Sequence, residues 1–171
     1  MRADETTNPD DKPANKRAKD PAEDPAINTA IAPATTWRAM PDGLLLRTPG
    51  RRTLWIDGDP ERLQGPRIAV IGSRTPSEPQ VALAAALCAA ISQAGALVCS
   101  GGALGIDGVA HRNALIAGGA TAVVSPVAID RSYPLRHARL FEEVRERGVV
   151  ISPFAPDTAA QRSHFRVRNT V

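Results

Sequence analysis

Two stretches of the chain combine glycine, hydroxyl and charged residues in a way that suits phosphate chemistry. The first is Gly72-Ser73-Arg74, directly after the apolar run Ile68-Ala69-Val70-Ile71. A glycine at a strand end lets a backbone or a phosphate come close. An arginine aimed into the same crevice grips a phosphate through paired hydrogen bonds. The bland alternative is a solvent-facing arginine after a tight turn. The second stretch is Ser100-Gly101-Gly102-Ala103-Leu104-Gly105, closed by Ile106-Asp107. Consecutive glycines expose main-chain N–H groups, and a helix start adds the positive end of its dipole. By composition this is a phosphate cradle, although it is neither GxGxxG nor a Walker A, since no Gly-Lys-Ser/Thr follows. Asp107 stands at the helix start, where an acid serves as a cap, and His111 lies one turn later on the same face. The pair is expected to hydrogen-bond and brace the loop, with a catalytic dyad as the sharper alternative. A third cluster, Phe165, Arg166, Arg168 and Asn169, sets an aromatic ring beside cations. Such a ring stacks a base while its neighbours hold phosphates; the alternative is a core phenylalanine flanked by solvated arginines. No Ser-His-Asp order or pair of carboxylates stands out, so no catalytic residue, metal site or cofactor is assigned.

The elements that must hold these loops follow from apolar periodicity. Ile68 to Ile71 is a continuous apolar run, as in a parallel strand buried on both faces. Ser77 and Gln80 have capping-box spacing and open a helix to about Ala94, with Val81, Ala84, Leu87, Cys88 and Ile91 on one stripe and Gly95 as the stop. Ala96 to Cys99 is the second strand. Asp107 to about Ala117 is the second helix, with Val109, Ala110, Leu115 and Ile116 available to face the sheet, and Gly118-Gly119 ends it. Thr121 to Ser125, Leu135 to Arg147 and Val149 to Ile151 continue the pattern as strand, helix and strand, and His164 to Val171 begins another helix. This β-α-β-α-β-α-β alternation predicts an α/β fold, a three-layer Rossmann-like parallel sheet with helices on both faces. Residues 37–66 are expected to be a lead-in of one or two short extended segments on the sheet edge, with Asp57-Gly58-Asp59-Pro60 as a turn and Leu63 anchoring it.

The bulk numbers are consistent with one domain and a tail. Of 171 residues, 43% are hydrophobic and only 4% aromatic, and the net charge is +3. Residues 1–36 hold five basic and seven acidic residues, many prolines and no hydrophobic period, and are expected to be disordered. The remainder carries sixteen arginines, no lysine and eleven acids, a balance that suits either phosphate binding or an ordinary surface. Cys88 and Cys99 have no CxxC or metal-like spacing and read as reduced thiols. No run is long enough to cross a membrane and no signal-peptide pattern opens the chain, so a cytoplasmic protein without a membrane partner is expected.

Taken together, AVIGSR, SGGALGIDGVAH, AIDRSYP and HFRVRN, with LWIDGD upstream, resemble the DNA-processing protein family DprA, also called Smf, over roughly residues 54–171. The resemblance implies an extended Rossmann fold, binding of single-stranded DNA, protection of incoming DNA in natural transformation and loading of the RecA recombinase, without an established enzymatic role. It implies that Gly72, Ser73 and Arg74 form the first DNA-facing loop, and that Ser100, Gly101, Gly102, Gly105, Asp107 and His111 belong to the second motif. Phe165, Arg168 and Asn169 match its Asn-Phe-Pro-x-Arg-Asn signature. Leu104 stands where the family commonly has a basic residue, His164 replaces its asparagine and Arg166 its proline. The Rossmann domain, 67–171, is expected to be incomplete relative to the family. RecA and a second copy of the chain are therefore expected partners only where the remaining sheet is present. The alternative function is a nucleotide-binding or nucleotide-hydrolysing domain of the same fold.

Overall fold

The structure, a computed structural model, describes the backbone of residues 37–39 and residues 53–171. The tail expected over residues 1–36 and the part of the lead-in over residues 40–52 lie outside the described residues. The strands are β1 (Trp37–Ala39), β2 (Trp55–Gly58), β3 (Arg67–Ala69), β4 (Leu97–Ser100), β5 (Thr121–Val124) and β6 (Val149–Ser152). The helices are α1 (Glu78–Gln93), α2 (Ile106–Ile116), α3 (Ala138–Arg147) and the short α4 (Ser163–Arg168). Single 3-10 turns precede β3 and α3, at Pro60–Leu63 and Leu135–His137.

Among the described residues the strands form one sheet in the order β1-β2-β6-β5-β4-β3. The four strands from β3 to β6 are parallel, with Ile68 opposite Val98, Cys99 opposite Ala122 and Val123 opposite Val150. The parallel sheet expected from the alternation is thus extended by two antiparallel strands, β2 on β6 and β1 on β2. Asp57 and Gly58, expected in a turn, belong to β2 and pair with Val150 and Val149.

Each crossover from β3 to β6 steps in the same direction across the sheet. With right-handed connections this places α1, α2 and α3 side by side on one face, and α1 packs on α2 and α2 on α3. Strand alternation then sorts the core. Val98 meets Cys88, Ile91, Ala110 and Ala114 under the helices, and Val123 and Val150 meet Leu115, Phe141 and Val144. Leu97, Ala122, Val149 and Ile151 point to the other face, where Leu54, Ile56 and Leu63 complete a cluster and Val171 packs against it. Full burial of each valine, leucine, isoleucine or phenylalanine among them contributes about 1.5–3 kcal/mol.

Helix α1 starts as its sequence predicts, with the Ser77 N–H donating to Gln80 Oε1 at 2.9 Å, and it stops at Gly95, whose φ is +78°. Two expectations need correction. Among the described residues strand β3 is not buried on both faces: it pairs with β4 on one side only, and all three of its residues are exposed. Leu87 and Ile116, expected in the core, are 49% and 80% exposed, because Ala84, Cys88 and Ile91 face the sheet in α1, and Ala110, Ala114 and Leu115 do so in α2.

Strand β2 is tied to α3 by one buried ion pair. Arg145 Nε donates to Asp57 Oδ2 at 2.6 Å, and its terminal nitrogens lie 3.4 and 3.5 Å from Ser132 Oγ. Asp57 is 1% exposed and its Oδ1 has no partner among the described residues, so the carboxylate leans on this guanidinium. Arg145→Ala should lower unfolding stability by about 3–5 kcal/mol in urea titrations, since it leaves a buried charge uncompensated. Arg145→Met with Asp57→Leu should recover most of that loss.

Candidate functional site

The sheet's carboxyl edge is where β3 and β4 release their two glycine loops. Val70 N–H still donates to Cys99 O at 2.9 Å, and Ser100 Oγ–H donates to Val70 O at 2.6 Å, so the strands stay paired up to the point of departure. Beyond it the loops touch. The Ile106 N–H, at the start of α2, donates to Ser73 O at 3.0 Å. A Cβ on Gly72 would lie 2.7 Å from Ile106 Cγ1, and a Cβ on Gly105 would overlap Ser73 O and the Arg74 backbone. Gly105 also has φ +82°, a conformation that L side chains rarely adopt. The glycines here serve close approach between the two loops, and they aim Arg74 across the strand ends.

The second loop is pinned from within. Asp107 Oδ2 accepts the Ala103 N–H at 3.2 Å, so the acid braces its own loop. Gly102, with φ +72°, lies against Phe141 and Val123. His137 Nδ1 is 3.0 Å from Gly102 O. A carbonyl only accepts, so this nitrogen carries the proton, and the ring also packs on Gly108. The motif reading missed His137, whose one available signal was a histidine at the start of the third helix. His111 makes a different bond from the one expected. Its Nδ1 lies 2.7 Å from Thr121 Oγ1, whose own proton goes to Val98 O at 2.7 Å. His111 therefore donates from Nδ1 to Thr121, and its buried Nε2 has no partner. It braces α2 against β5, while Asp107 bonds to the loop.

Helix α4 brings the third cluster to the same corner. Arg168 Nη1 donates to Val124 O at 3.0 Å, and its Nε donates to Asn169 Oδ1 at 2.9 Å. The guanidinium lies over Gly101, where a Cβ would overlap it. Burial works against the Arg168 charge; Asp107 supports it and Arg74 opposes it. Three charges thus share this corner, and Arg168 is committed to fastening α4 onto the sheet. Arg74 is exposed and makes no ion pair among the described residues. Its guanidinium carbon is 5.9 Å from the Phe165 ring centroid, and Tyr133 meets that ring edge-on at 5.7 Å. Arg166 is exposed, and no described contact joins it to this corner. His164 stacks on Phe154 at 3.6 Å between centroids, the two rings 11° from parallel. A cleft of about 750 Å³ opens over the corner, lined there by Gly72, Arg74, Gly101, Asp107, Arg168 and Asn169. Among the described residues no group of three or more side chains could hold a metal ion.

Glycine loops at the carboxyl ends of parallel strands, with crossover helices behind them, define a Rossmann-like α/β domain. Residues 44–171 match the family described as DNA recombination-mediator protein A, and the chain belongs to that family of DNA-processing proteins. It is 38% identical over 119 residues to the putative DNA processing protein DprA of Mycobacterium tuberculosis, covering 68% of this chain and 30% of that one. Protein Smf of Escherichia coli is 33% identical over 132 residues, covering 77% of this chain and 35% of the relative. The chain therefore spans about a third of the length of these relatives. Among solved structures, DNA processing protein A from Helicobacter pylori, described for its single-stranded DNA binding mode, superposes with a TM-score of 0.69 at 28% identity. That match covers 78% of this chain and 62% of the other. The DprA/Smf resemblance carried by the motifs is thus confirmed.

His111 and His164 are buried, which makes the site's support sensitive to acid. Burial, reinforced by His137 nearby, pushes the His111 pKa down to about 3. Burial also lowers that of His164. A histidine held neutral in the fold and free to protonate when unfolded contributes its full stability above pH 6.5 and loses it as pH falls toward the folded value. Unfolding free energy should therefore decline below pH 6.5, by about 1.4 kcal/mol per pH unit for each proton taken up. Urea titrations between pH 5 and 7 should show that slope, and His111→Asn should flatten it.

Proposed function

We propose that this chain binds single-stranded DNA non-catalytically in DNA processing, natural transformation and RecA-mediated recombination, in the cytoplasm. The observation that carries this reading is Arg74, an exposed guanidinium with no ion pair among the described residues, held beside the Phe165 ring at the rim of a glycine-lined cleft. Arg74 takes a phosphate, and the aromatic ring offers a stacking surface that every base can use. Gly72, Ser73, Ser100, Gly101, Gly102 and Gly105 build the two loops that carry the rim, the glycines packing there against the protein's own atoms so that Arg74 is held at the cleft. Arg168 and Asn169 form its floor, and Arg166 adds charge from outside. Asp107 and His111 act by holding the scaffold, with no part in bond making. The single-stranded DNA binding described for the Helicobacter pylori relative supports this assignment. RecA and a second copy of the chain are partners in this reading where the family's remaining sheet is present. The cleft volume of about 750 Å³ also suits a small ligand, so a nucleotide is the second reading, and thermal shift with nucleotides but not oligonucleotides would select it.

Fluorescence anisotropy with labelled oligo-dT across a salt series tests the proposal. Binding should weaken as salt rises. Arg74→Ala should weaken it further and reduce the slope of log K against log salt by about 0.7 for the lost phosphate contact. Phe165→Ala should lose about ten- to hundredfold in affinity, the equivalent of one stacked base. A folded sample without salt-sensitive binding at low ionic strength would overturn it.

A further inference from the structure

Strands β3, β4 and β5 are parallel and release their connections at the same carboxyl edge of the sheet. The glycine loops follow the first two. The third connection runs from Ser125 to Pro134, and it is a built part of the core. Val127, Ala128 and Ile129 are no more than 1% exposed. The Ser125 N–H donates to Ile151 O at 2.7 Å, the Ile129 N–H to Phe154 O at 3.2 Å, and Ser152 Oγ–H to Val127 O at 2.6 Å. Tyr133 comes near the end of this connection and is set from both sides. Ser132 before it is buried, its Oγ 3.4 Å from the Arg145 guanidinium. The Pro134 carbonyl after it accepts the His137 N–H at 2.9 Å. Tyr133 itself is half-buried, and its ring centroid stands 5.7 Å from that of Phe165 with the planes 82° apart.

The backbone of α4 is fastened by residues on either side of Phe165. His164, one position before it, stacks on Phe154, and Arg168, three positions after it, reaches Val124 O. These contacts place the Phe165 backbone and leave the plane of its ring to be fixed by what the ring itself meets. The ring is half-buried; it meets Tyr133 edge-on and has the Arg74 guanidinium carbon 5.9 Å from its centroid. Edge-to-face aromatic pairs are directional as well as attractive, so the tyrosine selects one ring plane. A side chain already held in its bound orientation lowers the ordering cost of binding, and a guanidinium within about 6 Å of a ring centroid feels the attraction of its face. We propose that Tyr133 is a positioning residue for single-stranded DNA: it holds the Phe165 ring in the plane on which a base stacks, and so makes the connection after β5 the third strand-end contributor to the site. This rests on the single-stranded DNA reading above and adds to it a residue that acts on the base and not on the phosphate.

The test uses the full chain with labelled oligo-dT and with an abasic deoxyribose-phosphate oligomer of the same length, across a salt series. The variants are Tyr133→Leu, Tyr133→Phe and Phe165→Ala. Tyr133→Leu should weaken oligo-dT binding about two- to tenfold, the equivalent of one edge-to-face pair, with its salt slope unchanged and the abasic oligomer unaffected. Tyr133→Phe keeps the ring and should bind as the unsubstituted protein does. In the Phe165→Ala background Tyr133→Leu should add no further loss. Equal weakening of both oligomers, the mark of a purely structural role, overturns the proposal, and so does no weakening of either. Tyr133 is the only tyrosine in the sequence, so 3-fluorotyrosine reports on this position alone. Saturating oligo-dT should shift its fluorine resonance, and the abasic oligomer should leave it in place. Where Tyr133→Leu does not fold, the absence of that oligo-dT shift overturns the proposal instead. If the folded, unsubstituted protein shows no salt-sensitive binding of oligo-dT, the single-stranded DNA reading fails and this one fails with it.

Discussion

The contact between the two glycine loops is the constraint on which the rest of the corner depends. Ser73 O takes the first free N–H of α2, and Gly72 and Gly105 are bare so that the two backbones can meet. One consequence is positional: Arg74 follows Ser73 directly, so the same hydrogen bond that joins the loops sets where its side chain begins. A second is electrostatic. With Ile106 N–H given to Ser73 O and Ala103 N–H given to Asp107, the start of α2 has spent part of its capacity to bind an anion. In the proposed function the anion-binding role therefore falls to arginine side chains. A helix start after glycines is commonly a phosphate seat, and here the first N–H of the helix and one N–H of the loop before it are turned toward the protein's own oxygens.

Polar groups under this corner divide into fasteners and free ends. Arg168 fastens α4 to β5 through Val124 O, His137 holds the underside of the second loop, and Thr121 couples α2 to both β4 and β5. Buried hydrogen bonds of this kind hold geometry more than they add net stability, because each replaces a bond to water. Against that fixed background Arg74 keeps its donors uncommitted. Phe165 sits between the two kinds, packed edge-on by Tyr133 and approached by Arg74. Its position is preorganised, which lowers the cost of ordering on binding.

Much of this was legible in the chain because it is encoded locally. Helix α1 is announced by Ser77 and Gln80 and closed by Gly95, and the loops after β3 and β4 declare themselves through glycine and hydroxyl residues. Strand order is another matter. The run Ile68 to Ile71 has the composition of a central strand, and nothing within it records that β3 pairs on one side only among the described residues. Asp57 reads as a turn residue because its partner, Arg145, is 88 positions away. Within the site, sequence spacing put Asp107 and His111 on one helix face but was silent about Thr121, which takes the imidazole. His137 stayed invisible for the same reason: its role is defined by a carbonyl at Gly102, far off in the chain. The three-cluster grouping of the arginines emerged only when α4 folded back over Gly101.

The bond from Ile106 N–H to Ser73 O also has a dynamic consequence. Proteins open in parts, and a loop tied to its neighbour through a backbone hydrogen bond opens at lower free energy than the core beneath it. The fraction of molecules with Arg74 in place is therefore set by the local opening of that contact, and global unfolding measures a different quantity. Whatever engages only the closed corner stabilises it by mass action.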